Sequence, residues 1–187
     1  MMESATNNID VFPVGRGGEL GAITVNPSSG ATPFAGAFAP NGALIVGNTS
    51  NSVSSYELGW NGTLNVISSQ VATDGQATCW NVLTPNGRYV YTANAGSSNL
   101  SGFGNGHNGT LTPVGNTVVA SNPAGSANLD IATSADGRFL YSLNGGTGAI
   151  GQFAIDQFAI DQDGSLRSLG VVEGLPASAG INGIAAF

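Results

Sequence analysis

Few side chains in this sequence have the types and spacing that catalysis requires. His107 is the only histidine and lies in a Gly- and Asn-rich turn, so a Ser-His-Asp triad is not predicted, and no G-x-S-x-G motif is present. Cys79 is the only cysteine and lies in an apolar run, which is typical of a buried thiol rather than a nucleophile. No metal-ligand spacing occurs, and the sequence predicts neither a metal site nor a cofactor.

Asp130 is the candidate for hydrolytic chemistry. A carboxylate in an apolar strand could act as a general base, or could position a water molecule, for the opening of a cyclic ester. Trp80, Asn81 and Asn182 could supply the aromatic wall and the amides of the same substrate-binding pocket. The alternative for Asp130 is a structural role, in which its carboxylate accepts hydrogen bonds from nearby backbone amides. Both interpretations stay open on the sequence alone.

The elements that must position these residues recur about every 45 to 50 residues. Each copy has an apolar strand, a turn, a second strand and then a third strand that ends in an aromatic residue. The turns are Asn41-Gly42, Asn86-Gly87 and Asp136-Gly137, dipeptides that favour type I′ hairpins. A second hairpin, with Gly-Thr-Leu or Gly-Ser-Leu, leads to a fourth strand.

Four short strands per repeat are what a propeller blade requires. The sequence therefore predicts an all-β fold, a partial β-propeller of about 3.5–4 four-stranded blades in a single domain, 1–187. The expected blades are 33–77, 78–126 and 127–176. A partial blade is expected from 8–32 plus 177–187, so that N- and C-terminal strands could share one blade.

The repeat separates structural positions from unusual ones. Asn48, Asn94 and Asn144 occupy the same position in every copy and are predicted to be structural, as are the paired Arg88 and Arg138. Asp130 aligns instead with three different residues in the other copies, Ala35, Trp80 and Asn182. That difference is why it is the catalytic candidate.

One repeat contains a tandem duplication. Phe-Ala-Ile-Asp-Gln at 153–157 is repeated at 158–162. An insertion of five residues would move all later side chains to the other face of a strand. We therefore expect one copy to bulge or loop out, or the hairpin to lengthen with a reset of register.

Composition limits the partners. The net charge is −7, with eleven acidic residues and four basic ones, which argues against binding to nucleic acid or to an anionic membrane. No apolar run approaches the roughly 20 residues of a membrane helix. The N-terminus has none of the features of a signal peptide, and the sequence leaves a cytoplasmic and an exported location equally open.

The strand-and-turn segments resemble a known family. Gly87-Arg88-Tyr89-Val90-Tyr91-Thr92-Ala93-Asn94 and the hairpin Asn108-Gly109-Thr110-Leu111-Thr112 are similar to segments of the lactonase family of seven-bladed propellers, the 6-phosphogluconolactonase and carboxymuconate-cyclising type. The motifs also resemble the YVTN repeats of surface-layer proteins, which are not enzymes. The resemblance implies a seven-bladed ring, of which this chain would supply the C-terminal half.

Two functions and two assemblies follow from this resemblance. The first function is a lactonase-like hydrolase acting on a small-molecule ester or lactone. The alternative is a non-catalytic binding or scaffold module, or an inactive relative. Because cationic side chains are scarce, neutral substrates fit better than phosphorylated ones. A homodimer that completes the ring is favoured over a closed four-bladed monomer, since open sheet edges and uncovered blade faces promote association.

Overall fold

The computed structural model describes residues 1–147, 152–175 and 181–187. Within these residues the chain is all-β, with fifteen strands and no helix, and so no helix that could cross a membrane. The strands are β1 Met2–Glu3, β2 Asn8–Val11, β3 Thr24–Pro27, β4 Pro33–Phe38, β5 Leu44–Asn48, β6 Ser52–Leu58, β7 Leu64–Ala72, β8 Thr78–Leu83, β9 Tyr89–Asn94, β10 Asn99–Asn105, β11 Leu111–Ser121, β12 Ala127–Thr133, β13 Phe139–Thr147, β14 Gln152–Ile160 and β15 Leu166–Leu175.

The strands form four antiparallel sheets in chain order. The N-terminal sheet has three strands, β1-β2-β3, and it is followed by three four-stranded blades. The first blade is β4–β7, the second is β8–β11 and the third is β12–β15. Contacts join β1 to β4, β4 to β8 and β8 to β12, so the first strands of successive blades lie side by side. The described residues thus form an open arc of a propeller, not a closed ring, as the repeat predicts.

The core is divided among the interfaces between neighbouring sheets. Each interface holds one apolar cluster, because the face of a blade is apolar and must be covered by the next blade. Ile9, Leu44, Val46 and Tyr56 join the N-terminal sheet to the first blade. Ala43, Ile45, Val53, Val90, Phe103 and Leu111 join the first blade to the second. Tyr91, Ala93, Leu100, Ile131, Leu140 and Phe158 join the second blade to the third.

The turn between the first two strands of each blade differs from the predicted type. Gly42, Gly87 and Gly137 have φ of 87°, 70° and 70°, but the Asn or Asp before each glycine does not have positive φ. Type I′ is therefore wrong. The amide of Gly42 instead bonds to the carbonyl of Ala39, a bond that spans Pro40-Asn41. Proline fixes φ near −65°, which suits a type I turn followed by a left-handed glycine.

The first copy of the duplicated segment and residues 158–160 of the second lie in one strand, β14, so the alternative in which a copy loops out is wrong. The alternative of a bulge or a reset of register fits better, because the pairing of β14 has register shifts at Asn144/Thr147 with β13 and at Phe153/Ile155 and Gln157/Phe158 with β15. The second copy keeps the blade register, because Phe158 pairs with Leu140 as Phe103 pairs with Val90. The next hairpin also keeps its normal length, with the Asp161 amide bonded to the Ser165 carbonyl. The extra five residues are taken up before the second copy. Four residues separate the paired Asn94 and Asn99, whereas nine separate Asn144 and Ala154.

The two ends of the chain lie at opposite ends of the arc. The N-terminal sheet includes β1, which the sequence did not predict and which pairs Met2 with Ile9. Residues 181–187 have no regular secondary structure, and the amide of Ile184 bonds to Asp130 in β12 of the third blade. A blade shared between the two ends of one chain is therefore not formed by the described residues. The segment 177–180 of the expected partial blade lies outside the described residues.

Candidate functional site

The candidate residues lie at one register position of the first strands. Ala35, Trp80 and Asp130 pair with Gly47, Ala93 and Leu143, and each partner immediately precedes the repeated Asn of its blade. A register shift comes just before each of the three positions, between residues 33 and 35, 78 and 80, and 128 and 130. A β-bulge of this kind changes the direction in which the side chain beside it points from the strand. The alignment made from the sequence is therefore correct in space, and Asp130 is the carboxylate at this position.

Both carboxylate oxygens of Asp130 accept hydrogen bonds from the main chain. Oδ1 accepts from the amide of Ile131 at 2.8 Å, and Oδ2 accepts from the amide of Ile184 at 3.0 Å. The second bond brings residues 181–187 against the third blade, so Asn182 lies in the same neighbourhood and is exposed. This geometry is that of the structural role proposed for Asp130, although each oxygen keeps a second lone pair.

Trp80 and Asn81 take part in contacts between blades. The Trp80 ring meets Phe34 of the first blade edge to face, with centroids 5.5 Å apart and planes at 79°. Trp80 also packs against the apolar cluster between the second and third blades. Asn81 donates to the carbonyl of Ile45 in the first blade at 3.2 Å. Both side chains are partly buried and tie neighbouring blades together.

Four cavities of the described residues lie away from the candidate residues. A cavity of about 440 Å³ is lined by Asn41, Glu57, Ile67, His107 and Asn108, between hairpins of the first and second blades. Three further cavities lie beside the same hairpins or beside the exposed Trp60, and none of the four is lined by Trp80, Asn81 or Asp130. The candidate residues thus lie along the first strands and line none of these four cavities.

The cationic side chains lie outside the first strands of the blades. The first strands β4, β8 and β12 contain no Lys or Arg. Arg138 is exposed and bonds to Asp136 in its own turn at 2.6 Å, and Arg88 lies over the Tyr89 ring at 5.5 Å. An anionic substrate at Asp130 would therefore meet no positive charge from these strands.

The remaining reactive groups have structural surroundings. The Cys79 thiol donates to the carbonyl of Ala77 at 3.1 Å, and burial raises its pKa, which disfavours the thiolate. His107 is exposed at a hairpin tip. Within the described ranges, no three His, Cys, Asp or Glu side chains lie close enough together to hold a metal ion.

Two buried carboxylates were missed by the sequence reasoning. Asp10 and Asp156 are 2% and 4% exposed. Burial raises the pKa of both, and the neighbouring Glu3 carboxylate raises that of Asp10 further. Each lies two positions before the aromatic residue that ends the third strand of its sheet, Asp10 before Phe12 and Asp156 before Phe158. The first and second blades carry serine there, so an alignment of the strand ends is the signal that would have found them.

No protein-family model matches the sequence, and no curated protein matches it significantly. Solved structures do match the fold. A Bacteroides uniformis protein proposed to be a 6-phosphogluconolactonase is similar at a TM-score of 0.71 and 22% identity, over 88% of this chain and 51% of that one. The periplasmic gluconolactonase of Pseudomonas aeruginosa is similar at a TM-score of 0.68 and 22% identity, over 88% and 48%.

The chain has the fold of part of a lactonase-type β-propeller. It spans about half the length of the structures that it matches. The same partial propeller is similar to a chain of the hydrazine synthase of Kuenenia stuttgartiensis, with a TM-score of 0.67 and 17% identity over 91% of this chain and 44% of that one. Identities this low show a shared fold and leave the activity to be argued from the site.

Proposed function

We propose that the chain is part of a lactonase-like hydrolase that opens a small, uncharged cyclic or simple carboxylic ester. The observation that carries the proposal is the position of Asp130, the carboxylate that stands at a register position held by Ala35 and Trp80 in the preceding blades. The structural neighbours named as a gluconolactonase and as a proposed 6-phosphogluconolactonase support the same class of reaction.

Asp130 would act on a water molecule. The two hydrogen bonds from backbone amides fix the Asp130 carboxylate in one orientation, and its free lone pairs could hold a water molecule beside the ester carbonyl. Attack of the water oxygen forms the new C–O bond, and the ring C–O bond breaks as the alkoxide leaves. Asp130 takes the proton of the water and returns it to the alkoxide, so the products are a hydroxy acid and the enzyme unchanged.

The substrate preference follows from charge. A phosphorylated lactone needs cationic partners, and the first strands contain none. Trp80 and the exposed amide of Asn182 suit the apolar face and hydroxyl groups of a neutral ring.

Hydrolysis of a panel of neutral and phosphorylated lactones tests the proposal, with Asp130→Asn and the control Asp161→Asn beside the wild type. Asp161 is exposed in the hairpin between β14 and β15, so Asp161→Asn removes one negative charge, as Asp130→Asn does, but outside the first strands. We expect turnover of neutral lactones that Asp130→Asn lowers by about 10²-fold or more, the usual contribution of a general base. Equal turnover in wild type and Asp130→Asn would remove Asp130 from the mechanism.

Substrate binding can be followed at Trp80. The chain has two tryptophans, and Trp60 is fully exposed. A Trp60→Phe variant has Trp80 as its only tryptophan, and its fluorescence should change on addition of a neutral lactone. A lactone that is hydrolysed without changing this fluorescence would place the pocket elsewhere.

A second function is favoured by one observation. Both oxygens of Asp130 are already bonded to backbone amides, as in a structural carboxylate at a contact between chain segments. The corresponding function is a non-catalytic propeller that binds a partner or serves as a scaffold. Absence of turnover on every lactone of the panel would favour it.

A further inference from the structure

The turn between the first two strands carries an arginine in the second and third blades, and the two arginines have different surroundings. Arg138 of the third blade bonds to the Asp136 carboxylate of its own turn at 2.6 Å. Hydrogen bonds from Ser134 and Arg138 lower the pKa of Asp136 to about 2, so at neutral pH this carboxylate is ionised and neutralises the arginine. The second blade has Asn86 in place of Asp136, and Arg88 forms no ion pair with a carboxylate of the described residues.

The two turns differ in charge and not in geometry. Oδ1 of Asn86 accepts hydrogen bonds from the Thr84 hydroxyl at 2.8 Å and from the Arg88 amide at 3.0 Å. Oδ1 of Asp136 accepts from the corresponding hydroxyl and amide of its own turn, at 2.6 and 3.1 Å. The glycine that follows has φ of 70° in both turns. The second blade therefore keeps the turn and leaves the charge of its arginine uncompensated.

The hairpin between β10 and β11 brings an imidazole, that of His107, to the same end of the second blade. Asn41 of the first blade donates to the carbonyls of Gly106 and His107 at 3.0 and 3.3 Å. Asn105, at the base of the hairpin, donates to two carbonyls of the turn that holds Arg88, each at 2.8 Å. These bonds hold the hairpin against the turn, so the main chain fixes where both side chains begin.

Two adjoining cavities lie at this contact, and Arg88 and His107 line both of them. The larger has a volume of about 430 Å³, within the usual range for small-molecule sites, and is also lined by Tyr89, Asn105 and Thr112. The smaller, of about 90 Å³, reaches the turn of the first blade. Neither cavity is lined by an Asp or Glu of the described residues. This makes the site a local exception in a chain whose net charge is −7.

The side chain of Arg88 has a defined position at the cavity wall. Its Cζ atom lies over the Tyr89 ring, 5.5 Å from the centroid. The Tyr89 hydroxyl donates to the carbonyl of Gln162 in the third blade at 2.7 Å, which holds the ring in place. Asp161 and Asp163 belong to the hairpin of Gln162 but line neither cavity. A contact with a ring face leaves the N–H donors of a guanidinium available to a ligand.

We propose that Arg88 and His107 form a binding site for a small organic anion, a carboxylate or phosphate ester that carries hydroxyl groups. The fork of arginine N–H donors matches two oxygens of such a group, and an imidazole N–H can donate to the same anion. The Tyr89 ring and the Thr112 hydroxyl suit the rest of the molecule. The site lies at the start of β9, whereas the register position of Asp130 lies near the end of that strand, so the two sites are separate.

Titration of the ¹⁵N-labelled chain, followed by NMR at constant ionic strength, tests the proposal. The probes are sodium gluconate for the carboxylate and sodium glycerol phosphate for the phosphate ester, with glycerol as the uncharged control. We expect saturable shifts of the Arg88 and His107 amide signals for at least one anion, and none for glycerol. The dissociation constant should be roughly 1 mM, because exposed ion pairs contribute little. The anion that binds more tightly identifies the chemical group that the site prefers.

Asn86→Asp is the sharpest variant, because it keeps Arg88 and gives it the partner that Arg138 has in the third blade. The turn of the third blade shows that an Asp fits this geometry. We expect Asn86→Asp and Arg88→Gln each to weaken binding about tenfold, since a charge-assisted contact is lost. His107→Ala should weaken it about threefold, since one hydrogen bond is lost. Arg138→Gln is the matched control, which removes the same charge from the other turn and should leave the affinity unchanged.

The outcomes separate a built site from a general effect of charge. Absence of saturable shifts with both anions would overturn the proposal. Unchanged affinity in Asn86→Asp, in Arg88→Gln or in His107→Ala would also contradict it, and so would an equal loss of affinity in Arg138→Gln. The NMR spectrum of each variant shows directly whether its fold is retained. The lactone assays do not bear on this result, because binding is measured without turnover and away from Asp130.

Discussion

Asn144 donates a 2.7 Å hydrogen bond to Oδ2 of Asp156, and both side chains are buried in the third blade. In the other blades the same asparagine position donates to a serine. Asn48 bonds to Ser54 at 3.2 Å and Asn94 bonds to Ser101 at 2.7 Å. The third blade has therefore replaced a neutral hydroxyl with an ionisable group in a buried network.

The tandem duplication accounts for this carboxylate. Residues 149–153 read Ala-Ile-Gly-Gln-Phe and residues 154–158 read Ala-Ile-Asp-Gln-Phe. Without the five extra residues, Gly151 would stand two positions before the aromatic residue of the blade. The duplication supplied an Asp instead, and it kept Ala and Ile at the two apolar positions before it. Its main effect on the core is therefore one buried ionisable group.

Replacing Asp156 with Asn should stabilise the protein at neutral pH. Burial raises the pKa of Asp156 above its ordinary value of 3.8, so the folded state favours the protonated form. The contribution of this group to stability is complete below that ordinary value and is lost as the pH rises through the raised pKa. Asn keeps an acceptor for Asn144 and carries no charge, so we expect a gain of about 1 kcal/mol at pH 7. This gain should shrink as the pH falls through the raised pKa of Asp156 and should be absent below its ordinary value of 3.8.

Denaturant unfolding at several pH values measures this difference. Asp161→Asn is the matched control, because Asp161 is the same residue in the second copy of the repeat and is exposed. Its effect should stay within about 0.5 kcal/mol. An Asp156→Asn protein that is less stable than the wild type at pH 7 would show that the ionised carboxylate is stabilised in place.

Deletion of residues 153–157 should leave the fold intact. The same polypeptide results whichever copy is removed, and it retains an aromatic residue at the blade position with Ile and Ala before it. We expect cooperative unfolding with a free energy within about 1 kcal/mol of the wild type, since a change in loop length alone costs little. Deletion of residues 99–103, which removes Phe103 from a strand without a second copy, should unfold the second blade. Comparable loss of structure in both deletions would contradict the register of β14.

The repeat made much of this fold predictable. The Asn positions, the pairing of strands and the alignment of Ala35, Trp80 and Asp130 depend on local pattern, and each of them is found in the structure. In the first two blades the turn type was missed because Pro40 and its counterpart Pro85 restrict the backbone more strongly than the Asn-Gly dipeptide suggests. The third blade has Ala135 at this position and forms the same turn, with the Gly137 amide bonded to the Ser134 carbonyl. The sequence could not choose among the alternatives for the duplicated segment, because a strand can extend past its partner's usual end, which a period-two pattern does not reveal.

The candidate site was predictable only in part. Register identified Asp130 as unusual, and the family resemblance suggested what a carboxylate there could do. Its partner Ile184 lies 54 residues away, and no local pattern indicates that the C-terminal segment returns to β12. The buried Asp156 shows the same limit, since its burial depends on which copy of the repeat takes the blade register.

Replacing Asp130 with Asn should release the C-terminal segment, whether or not the protein is a hydrolase. The carboxylate accepts from the amides of Ile131 and Ile184 at once, and an Asn side chain has only one acceptor oxygen for these two donors. Loss of one such bond costs about 1.4 kcal/mol, which is a tenfold change in the local opening equilibrium. Hydrogen exchange at the Ile184 amide should therefore accelerate about tenfold, while exchange in β9 stays unchanged. Asp161→Asn again controls for the loss of charge. If exchange at Ile184 is the same in Asp130→Asn and in the control, Asp130 does not hold this segment in solution.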